Sequence, residues 1–167
     1  MQLIVIAHNI RSIYNVGTIF RTADAFGVKA IHLTGYTPYP AIEHDSRPPH
    51  VRQAMARQLH KTALGAETSV PFTYHEHPVE LVRQYRQHGF RIAALEQDER
   101  SVPLAEYMCP ERLVLLLGEE RHGITPDILT LCDDVLEIPM LGMKESLNVS
   151  VATGIALYAL TNSHKNN

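Results

Sequence analysis

The segment Ile138–Leu160, IPMLGMKESLNVSVATGIALYAL, constrains the fold most because it passes from a strand end through a polar loop into an apolar helix within a short span. The run Val135–Ile138 predicts a strand, and Pro139 ends it because proline cannot donate to a sheet hydrogen bond. A loop follows, in which Ser146 and Asn148 are good caps for the apolar helix behind them. The apolar residues of that helix cover most of its circumference: Leu147, Val149, Val151, Ile155, Leu157, Tyr158 and Leu160. We therefore expect a helix buried nearly all round, with a ligand site at the crevice before its amino-terminus.

Two other stretches share this strand-to-loop or loop-to-helix character. Leu113–Gly123, LVLLLGEERHG, is a purely apolar strand that breaks at Gly118 into a loop with two glutamates. Asn15–Gly27, NVGTIFRTADAFG, opens with Asn15 as a possible cap and predicts a helix that stops at glycine, with Arg21 in its middle. Its inward residues are expected to be Ile19, Phe20, Ala23 and Phe26.

Strands and helices alternate along the chain. The predicted strands are Leu3–Ala7, Ala30–Thr34, Val70–Tyr74, Arg91–Leu95, Leu113–Leu117 and Val135–Ile138. The predicted helices lie near Val16–Phe26, Val51–Leu64, Val79–His88, Pro126–Cys132 and Leu147–Ser163. Apolar strands between helices indicate an α/β fold with a parallel sheet covered on both faces, and 167 residues suit one domain spanning 1–167, without an extra RNA-binding domain.

Targeting and redox features are consistent with the cytoplasm. No run is long and apolar enough to span a bilayer, so we expect no membrane partner, and the first residues, MQLIVIAH, lack the basic start and cleavage site of a signal peptide. Cys109 and Cys132 are isolated thiols without metal spacing, which favours reduced structural cysteines. We expect no metal: His75-Glu76-His77 has two histidines but no third ligand spaced with them.

The charge is unevenly distributed. The net charge is −3, but the segment Ser46–Ala66 contains no acidic residue. Its basic residues, together with Arg11 nearer the amino-terminus, are the candidate RNA contacts: Arg11, Arg47, Arg52, Arg57 and Lys61. The same spacing is also what an ordinary solvated helix face would show. The proline-rich loop Gly35–Pro49 is long enough to be functional or mobile.

Periodicity alone would favour a dinucleotide-binding fold. There is, however, no G-x-G-x-x-G after the first strand and no G-x-x-x-x-G-K-[ST], so neither a dinucleotide nor a P-loop nucleotide is supported.

The three stretches together resemble the motifs of the SpoU (TrmH-like) RNA ribose 2′-O-methyltransferases of the SPOUT superfamily. The first reads N-x-G-x-x-x-R-T-A-x-A-x-G from Asn15 to Gly27, and the second reads L-G-x-E-x-x-G from Leu117 to Gly123. The third reads I-P-M-x-G-x-x-x-S-L-N-V-S-V-A from Ile138 to Ala152. Three motifs in the right order are a specific match, and the resemblance covers almost the whole chain.

The resemblance implies a fold and a cofactor. SpoU proteins have a carboxy-terminal deep trefoil knot, a rare exception to the rule against threading. S-adenosylmethionine is held in that knot by the loops after three strands. On this chain the implied cofactor-binding residues are Leu95, Leu117, Gly118, Ile138, Met140 and Leu147. Glycine at 118 and 142 would let the backbone come close to an adenine.

The implied reaction is methyl transfer to a ribose 2′-hydroxyl of RNA. The implied catalytic residues are Arg21, Asn15, Glu120, Asn148 and Ser146. Arg21 would either hold a phosphate and align the ribose, or assist deprotonation together with that phosphate. Glu120 would orient Arg21 or Asn15, whereas Glu119 occupies a variable position and is left out. Helix capping competes with a catalytic role for Ser146 and Asn148.

SpoU enzymes work as homodimers, and the apolar circumference of Val149–Leu160 favours the same assembly here. The expected RNA substrate is tRNA first and rRNA second. Two alternatives remain open: a non-catalytic RNA-binding protein with the same fold, and a methyltransferase that acts on protein.

Overall fold

The computed structural model describes residues 1–119 and 121–165, with side chains for 1–119 and 121–163. The strands are β1 (Gln2–His8), β2 (Ala30–Thr34), β3 (Phe72–His75), β4 (Arg91–Leu95), β5 (Val102–Pro103), β6 (Arg112–Leu117) and β7 (Asp134–Glu137). The helices are α1 (Ile13–Ala25), α2 (Pro49–Ala63), α3 (Ala66–Ser69), α4 (Val79–Gln87), α5 (Pro126–Leu129) and α6 (Val149–Lys165). A single 3-10 turn, Leu104–Glu106, follows β5.

The seven strands form one parallel sheet in the order β3-β2-β1-β6-β4-β7-β5. At its centre β1 lies beside β6, with Val5 opposite Leu115. Both strands are apolar because both faces of the sheet are covered. One face packs on α1, α2 and α6, and the other on α4 and α5. The predicted parallel sheet with two covered faces is confirmed.

The predicted elements lie within about two residues of the observed ones, apart from α1, which begins three residues early at Ile13, and α5, which ends three residues early at Leu129. Three short elements were not predicted: β5, α3 and the 3-10 turn. They are too short to carry a periodic pattern, and β5 has only the edge of β7 as its partner. None of the helices in the described part of the chain is long and apolar enough to cross a membrane.

The prediction that Asn15 caps the first helix is wrong. The cap is Ser12, whose Oγ accepts the Asn15 backbone N–H at 3.4 Å. Asn15 instead lies inside the first turn of α1, which leaves its side chain amide available for a contact outside the helix.

The prediction that the last helix is buried nearly all round is also wrong for the single chain. One face of α6 is buried, through Thr153, Ala156, Leu157 and Leu160. The opposite face, which includes Val151, Ile155 and Tyr158, is exposed, and Tyr158 keeps 62% of its accessible surface. The amino-terminal end of the helix is capped by Asn148, whose Oδ1 accepts the Ser150 N–H at 2.9 Å.

Helices α1 and α2 pack unusually closely at Gly17. A Cβ at Gly17 would lie 2.1 Å from Thr62 Oγ1 and 2.5 Å from the Leu59 carbonyl oxygen. The Thr62 hydroxyl donates to the carbonyl of Tyr14 at 2.9 Å, which ties the two helices together at this crossing. Only glycine allows this approach, so the first motif contributes to the fold as well as to a site.

Gly17→Ala should lower the free energy of unfolding by about 1–3 kcal/mol, because the steric cost exceeds the roughly 0.5–1 kcal/mol that alanine gains in a helix. Urea denaturation followed by circular dichroism measures the change. Gly154→Ala in α6 is the matched control, since its Cβ would meet nothing closer than Thr22 Cγ2 at 3.8 Å. Equal stability of the two variants would contradict the close crossing.

Candidate active site

A cavity of about 360 Å³ lies beyond the carboxyl ends of β4, β6 and β7. The loops after these three strands form its wall, and the amino-terminal end of α6 closes it through Val149 and Ala152. All six residues predicted to bind a cofactor line it: Leu95, Leu117, Gly118, Ile138, Met140 and Leu147. The structure thus brings together residues from positions far apart in the sequence, and their role in binding stays a prediction.

The loop after β6 folds back on itself because two of its residues are glycine. A Cβ at Gly118 would lie 2.5 Å from Ile124 Cγ1 and 2.7 Å from the Gly123 carbonyl carbon. Gly123 has φ +66°, and its Cβ would meet Glu96 Oε2 at 2.2 Å. Glu119 and Gly123 exchange backbone hydrogen bonds of 3.2 and 3.0 Å across the turn. This part of the cavity wall is therefore a tight, hydrogen-bonded turn.

Glu96, which the sequence analysis missed, holds this turn against the end of β4. Its carboxylate accepts the Ile124 N–H at 2.9 Å and the Gln97 N–H at 2.9 Å. The neighbouring Gln97 Nε2 donates to the Glu145 carbonyl at 2.8 Å and so reaches the loop after β7. The sequence signal that could have identified Glu96 was its position, as an acidic residue directly after a buried strand.

Glu119, also left out of the predicted site, lies in the cavity wall with its side chain mostly covered. It accepts a hydrogen bond from His122 Nδ1 at 2.7 Å, and Arg11 Nη1 lies 3.9 Å away. The hydrogen bond from His122 lowers the pKa of Glu119, with smaller contributions from Tyr36 and Arg11. Glu119 is therefore ionised near neutral pH.

Asn15 and Asn148 meet across the two motif helices. Asn148 Nδ2 donates to Asn15 Oδ1 at 3.2 Å, and Asn148 Oδ1 also accepts the Ser150 hydroxyl at 2.7 Å. The structure thus brings together the first residue of the first motif and the cap of α6. Ser146, another predicted catalytic residue, lines the cavity and lies two positions before Asn148.

Arg21 is exposed on α1, six positions after Asn15, and is not among the residues that line the cavity. Within the described part of the chain its guanidinium makes no hydrogen bond and no ion pair. Glu120, the remaining predicted catalytic residue, lies outside the described residues.

The predicted RNA contacts fall into two groups. Arg47 is used inside the proline-rich loop: its Nε donates to Asp45 at 2.8 Å, and its two Nη atoms donate to the carbonyls of Tyr39 and Pro40. The guanidinium also lies 3.7 Å from the Tyr39 ring centroid and holds the pKa of Asp45 well below its usual range. The guanidinium of Arg47 is thus held by its own loop, and its contact with RNA stays a prediction.

The other basic residues stay at the surface. Arg57 and Lys61 are exposed on α2, Arg52 is half-buried on the same helix, and Arg11 is exposed beside Glu119. Among the described residues no group of three potential ligands could hold a metal ion. The imidazole of His75 forms a hydrogen bond within its strand, between Nε2 and Thr73 Oγ1 at 2.7 Å.

The cavity chemistry fits a flat, partly apolar molecule that carries positive charge. Leucine and isoleucine side chains supply apolar walls. The acidic lining residues, Glu96, Glu119, Glu137 and Glu145, outnumber the basic ones, Arg121 and His122.

Comparisons with known proteins agree with this geometry. The profile of the SpoU rRNA Methylase family matches residues 2–158. The tRNA (guanosine(18)-2′-O)-methyltransferase of Aquifex aeolicus is 33% identical over 157 residues, which cover 94% of this chain and 67% of that protein. The Escherichia coli (strain K12) protein of the same name is 31% identical over 165 residues, covering 99% of this chain and 65% of that protein. This chain thus spans about two thirds of the length of these relatives.

Solved structures show the same architecture. The A. aeolicus TrmH/SpoU tRNA modifying enzyme superposes with a TM-score of 0.82 at 30% identity, covering 99% of this chain and 76% of that one. The AdoMet-bound rRNA methyltransferase from Sinorhizobium meliloti gives a TM-score of 0.79 at 25% identity, covering 96% of this chain and 56% of that one.

Glu96→Ala should lower the free energy of unfolding by about 1–2 kcal/mol, because the Ile124 N–H loses its charged acceptor. Glu96→Gln keeps an acceptor at the same place and should lose less than half of that. Urea denaturation measures both, with the exposed Glu99→Ala as a control expected within about 0.5 kcal/mol of the unmodified protein. If Glu96→Ala behaved like the control, Glu96 would not hold the turn.

Proposed function

We propose that this chain, which belongs to the SpoU rRNA Methylase family, is an S-adenosylmethionine-dependent methyltransferase that acts on a ribose 2′-hydroxyl of RNA. The observation that carries the proposal is the cavity built from the loops after β4, β6 and β7, with the Asn15–Asn148 contact beside it. The names of the A. aeolicus and E. coli relatives describe this reaction, and they cover nearly the whole of this chain.

The residues of the cavity fit S-adenosylmethionine. The cavity volume of about 360 Å³ lies within the usual range for small-molecule sites. The apolar residues Leu95, Leu117, Ile138 and Leu147 would enclose the adenine, while the acidic lining would complement the positive charge of the sulfonium. When bound, the cofactor supplies a methyl group activated by that sulfonium. The AdoMet-bound S. meliloti protein supports this choice of cofactor.

The protein must then bring a weak nucleophile into line. A ribose hydroxyl reacts poorly near neutral pH, so positioning carries much of the rate enhancement. The Asn15–Asn148 pair fixes α1 against the end of α6, and this orients the helix that carries Arg21 relative to the cavity. Arg21 is proposed to hold an RNA phosphate through two parallel hydrogen bonds, because its guanidinium stays protonated and is a poor base.

Two further motif residues complete the proposed site. Ser146 lines the cavity and is proposed to contact cofactor or ribose, while Asn148 combines capping of α6 with its bond to Asn15. Glu120 is proposed to orient Arg21 or Asn15, which rests on its match to the second motif alone.

The proposed substrate is tRNA, with rRNA second. The support is that the A. aeolicus and E. coli relatives are named for guanosine 18 of tRNA, whereas the S. meliloti structure is named for rRNA. Arg52, Arg57 and Lys61 form the proposed RNA-contacting surface of α2, since a row of cations at the surface complements a phosphate backbone. Because the proposed substrates are tRNA and rRNA, we also propose a cytoplasmic location.

Incubation with radiolabelled S-adenosylmethionine and RNA from cells lacking the protein should yield a labelled 2′-O-methylated nucleoside, with guanosine 18 of tRNA examined first. Arg21→Ala should lower kcat/KM about 100-fold or more while the cofactor Kd changes less than about twofold, because alignment of the RNA is lost. Arg83→Ala is the matched control, being an exposed helical arginine on α4.

The outcomes separate the alternatives. If neither the tRNA nor the rRNA became labelled while cofactor binding stayed intact, the result would favour the non-catalytic RNA-binding protein. Label in protein instead of RNA, when extract of the same cells is supplied, would favour a methyltransferase that acts on protein. An unchanged rate for Arg21→Ala would contradict the proposed role of the arginine.

We also propose a homodimer that covers the exposed face of α6. Val151, Ile155 and Tyr158 form an apolar surface on this helix, and Leu141 and Met143 in the preceding loop are almost fully exposed. Exposed apolar surface of this extent is characteristic of an interface. A carboxy-terminal trefoil knot, in which the carboxy-terminal segment would thread through a loop, is also proposed, and the three matched motifs support it.

Ile155→Glu should shift the protein from dimer to monomer, because a charge would be buried without a partner in the interface. Sedimentation velocity at micromolar concentration measures the assembly. Met108→Glu is the control, since Met108 is also an exposed apolar residue but lies in the loop before β6. A monomeric unmodified protein at that concentration would contradict the dimer.

A further inference from the structure

Tyr36 presents an exposed aromatic ring on a rigid turn beside the proposed active site. The residue follows β2 and keeps 54% of its accessible surface. Single exposed aromatic residues are common on protein surfaces and carry no meaning by themselves. Tyr36 differs because the backbone on both sides of it is fixed by hydrogen bonds.

The turn is held first through Asn9, which follows β1. Asn9 Oδ1 accepts the backbone N–H of Tyr36 at 3.2 Å. Gly35 has φ +66°, and a Cβ there would lie 1.9 Å from the same oxygen. Glycine at this position therefore lets the asparagine side chain reach the backbone of Tyr36.

The turn is held second through its neighbours. The Gly35 carbonyl accepts the Tyr74 hydroxyl at 2.8 Å, and the Gly35 N–H donates to the His75 carbonyl at 3.2 Å. On the other side, Thr37 is buried, and its hydroxyl donates to the Thr34 carbonyl at 2.8 Å. The backbone around Tyr36 is therefore anchored to the carboxyl ends of β1, β2 and β3.

The ring is also connected to the cavity. Glu119, in the cavity wall, interacts with the Tyr36 hydroxyl and with the guanidinium of Arg11. Contacts with one carboxylate thus bring together an exposed aromatic ring and an exposed cation at the border of the cavity.

An aromatic ring that is both exposed and fixed is suited to a flat partner. Unpaired nucleobases stack on aromatic side chains, and such stacking is a main source of affinity in the recognition of single-stranded RNA segments. A preorganised ring loses little conformational freedom when the base arrives. A neighbouring arginine supplies positive charge for the phosphate that accompanies each base.

We propose that Tyr36 is a stacking platform for an unpaired nucleobase of the RNA substrate, held in place by Asn9 and Glu119. The proposal rests on the proposed function in one respect, that the natural ligand is RNA. It adds a binding subsite outside the three motifs and assigns its ligand to one chemical class.

The test compares two substitutions in the full chain. Tyr36→Phe keeps the ring and removes the hydroxyl contact with Glu119, whereas Tyr36→Leu keeps an apolar side chain and removes the flat ring. The dissociation constant for unmodified tRNA is measured by filter binding at several salt concentrations, without cofactor. Cofactor affinity and sedimentation of each variant are measured as checks on the fold and assembly.

Tyr36→Leu should weaken tRNA binding about tenfold or more, while Tyr36→Phe should stay within about threefold of the unmodified protein. The dependence of the Tyr36→Leu affinity on salt should be unchanged, because stacking releases no counterions. Arg11→Gln is the electrostatic control and should reduce the slope of log K against log salt concentration by about one.

Equal affinities for the Leu and Phe variants would overturn the proposal, whether both match the unmodified protein or both are weakened. A change in sedimentation confined to Tyr36→Leu would also overturn it, by placing the ring in a subunit interface. Because binding is measured without methyl transfer, a protein that produces no methylated nucleoside but shows the expected dependence on Tyr36 would disprove only the proposed reaction.

Discussion

The pairing of β1 with β6 at the centre of the sheet determines where a site can form. Both strands are buried on both faces, which requires helices on each side and crossover connections between parallel strands. Parallel strands end at the same edge, so the loops after β1, β2, β4, β6 and β7 all meet there. Three of these loops form the cavity, and the other two supply Arg11 and Tyr36 at its border.

Carboxylates connect those loops to one another. Glu96 fastens the turn after β6 to the end of β4, and Glu119 connects the same turn to the loops after β1 and β2. Glycines at positions 118 and 123 make room for these contacts, since any side chain there would overlap with Ile124 or Glu96. The proposed cofactor and RNA surfaces are therefore two sides of one hydrogen-bonded turn.

Local sequence patterns predicted the parts of this molecule that local patterns control. Apolar runs such as Leu113–Leu117 predicted the central strands, because burial on both faces leaves no alternative composition. The six cavity-lining residues came from the resemblance to a family, and their strand-end positions are consistent with the fold. The roles of Glu96 and Arg47 could not be predicted, because each depends on a fold-specific contact: Glu96 with a backbone N–H 28 positions away, and Arg47 with two carbonyls of its own loop. The exposed face of α6 was missed for a related reason, since an apolar helix has the same composition whether its own chain or a second copy covers it.

The hydrogen bond between Asn15 and Asn148 joins positions 133 residues apart, so the site is complete only after the segment that carries Asn148 has been synthesised. A ribosome adds residues one by one, so the first motif helix is made long before the segment that completes the site. The partly made chain can bury much of its sheet, but it has neither the cap of α6 nor the loop that closes the cavity. Loss of α6 and the loop before it would therefore remove the site altogether instead of weakening it.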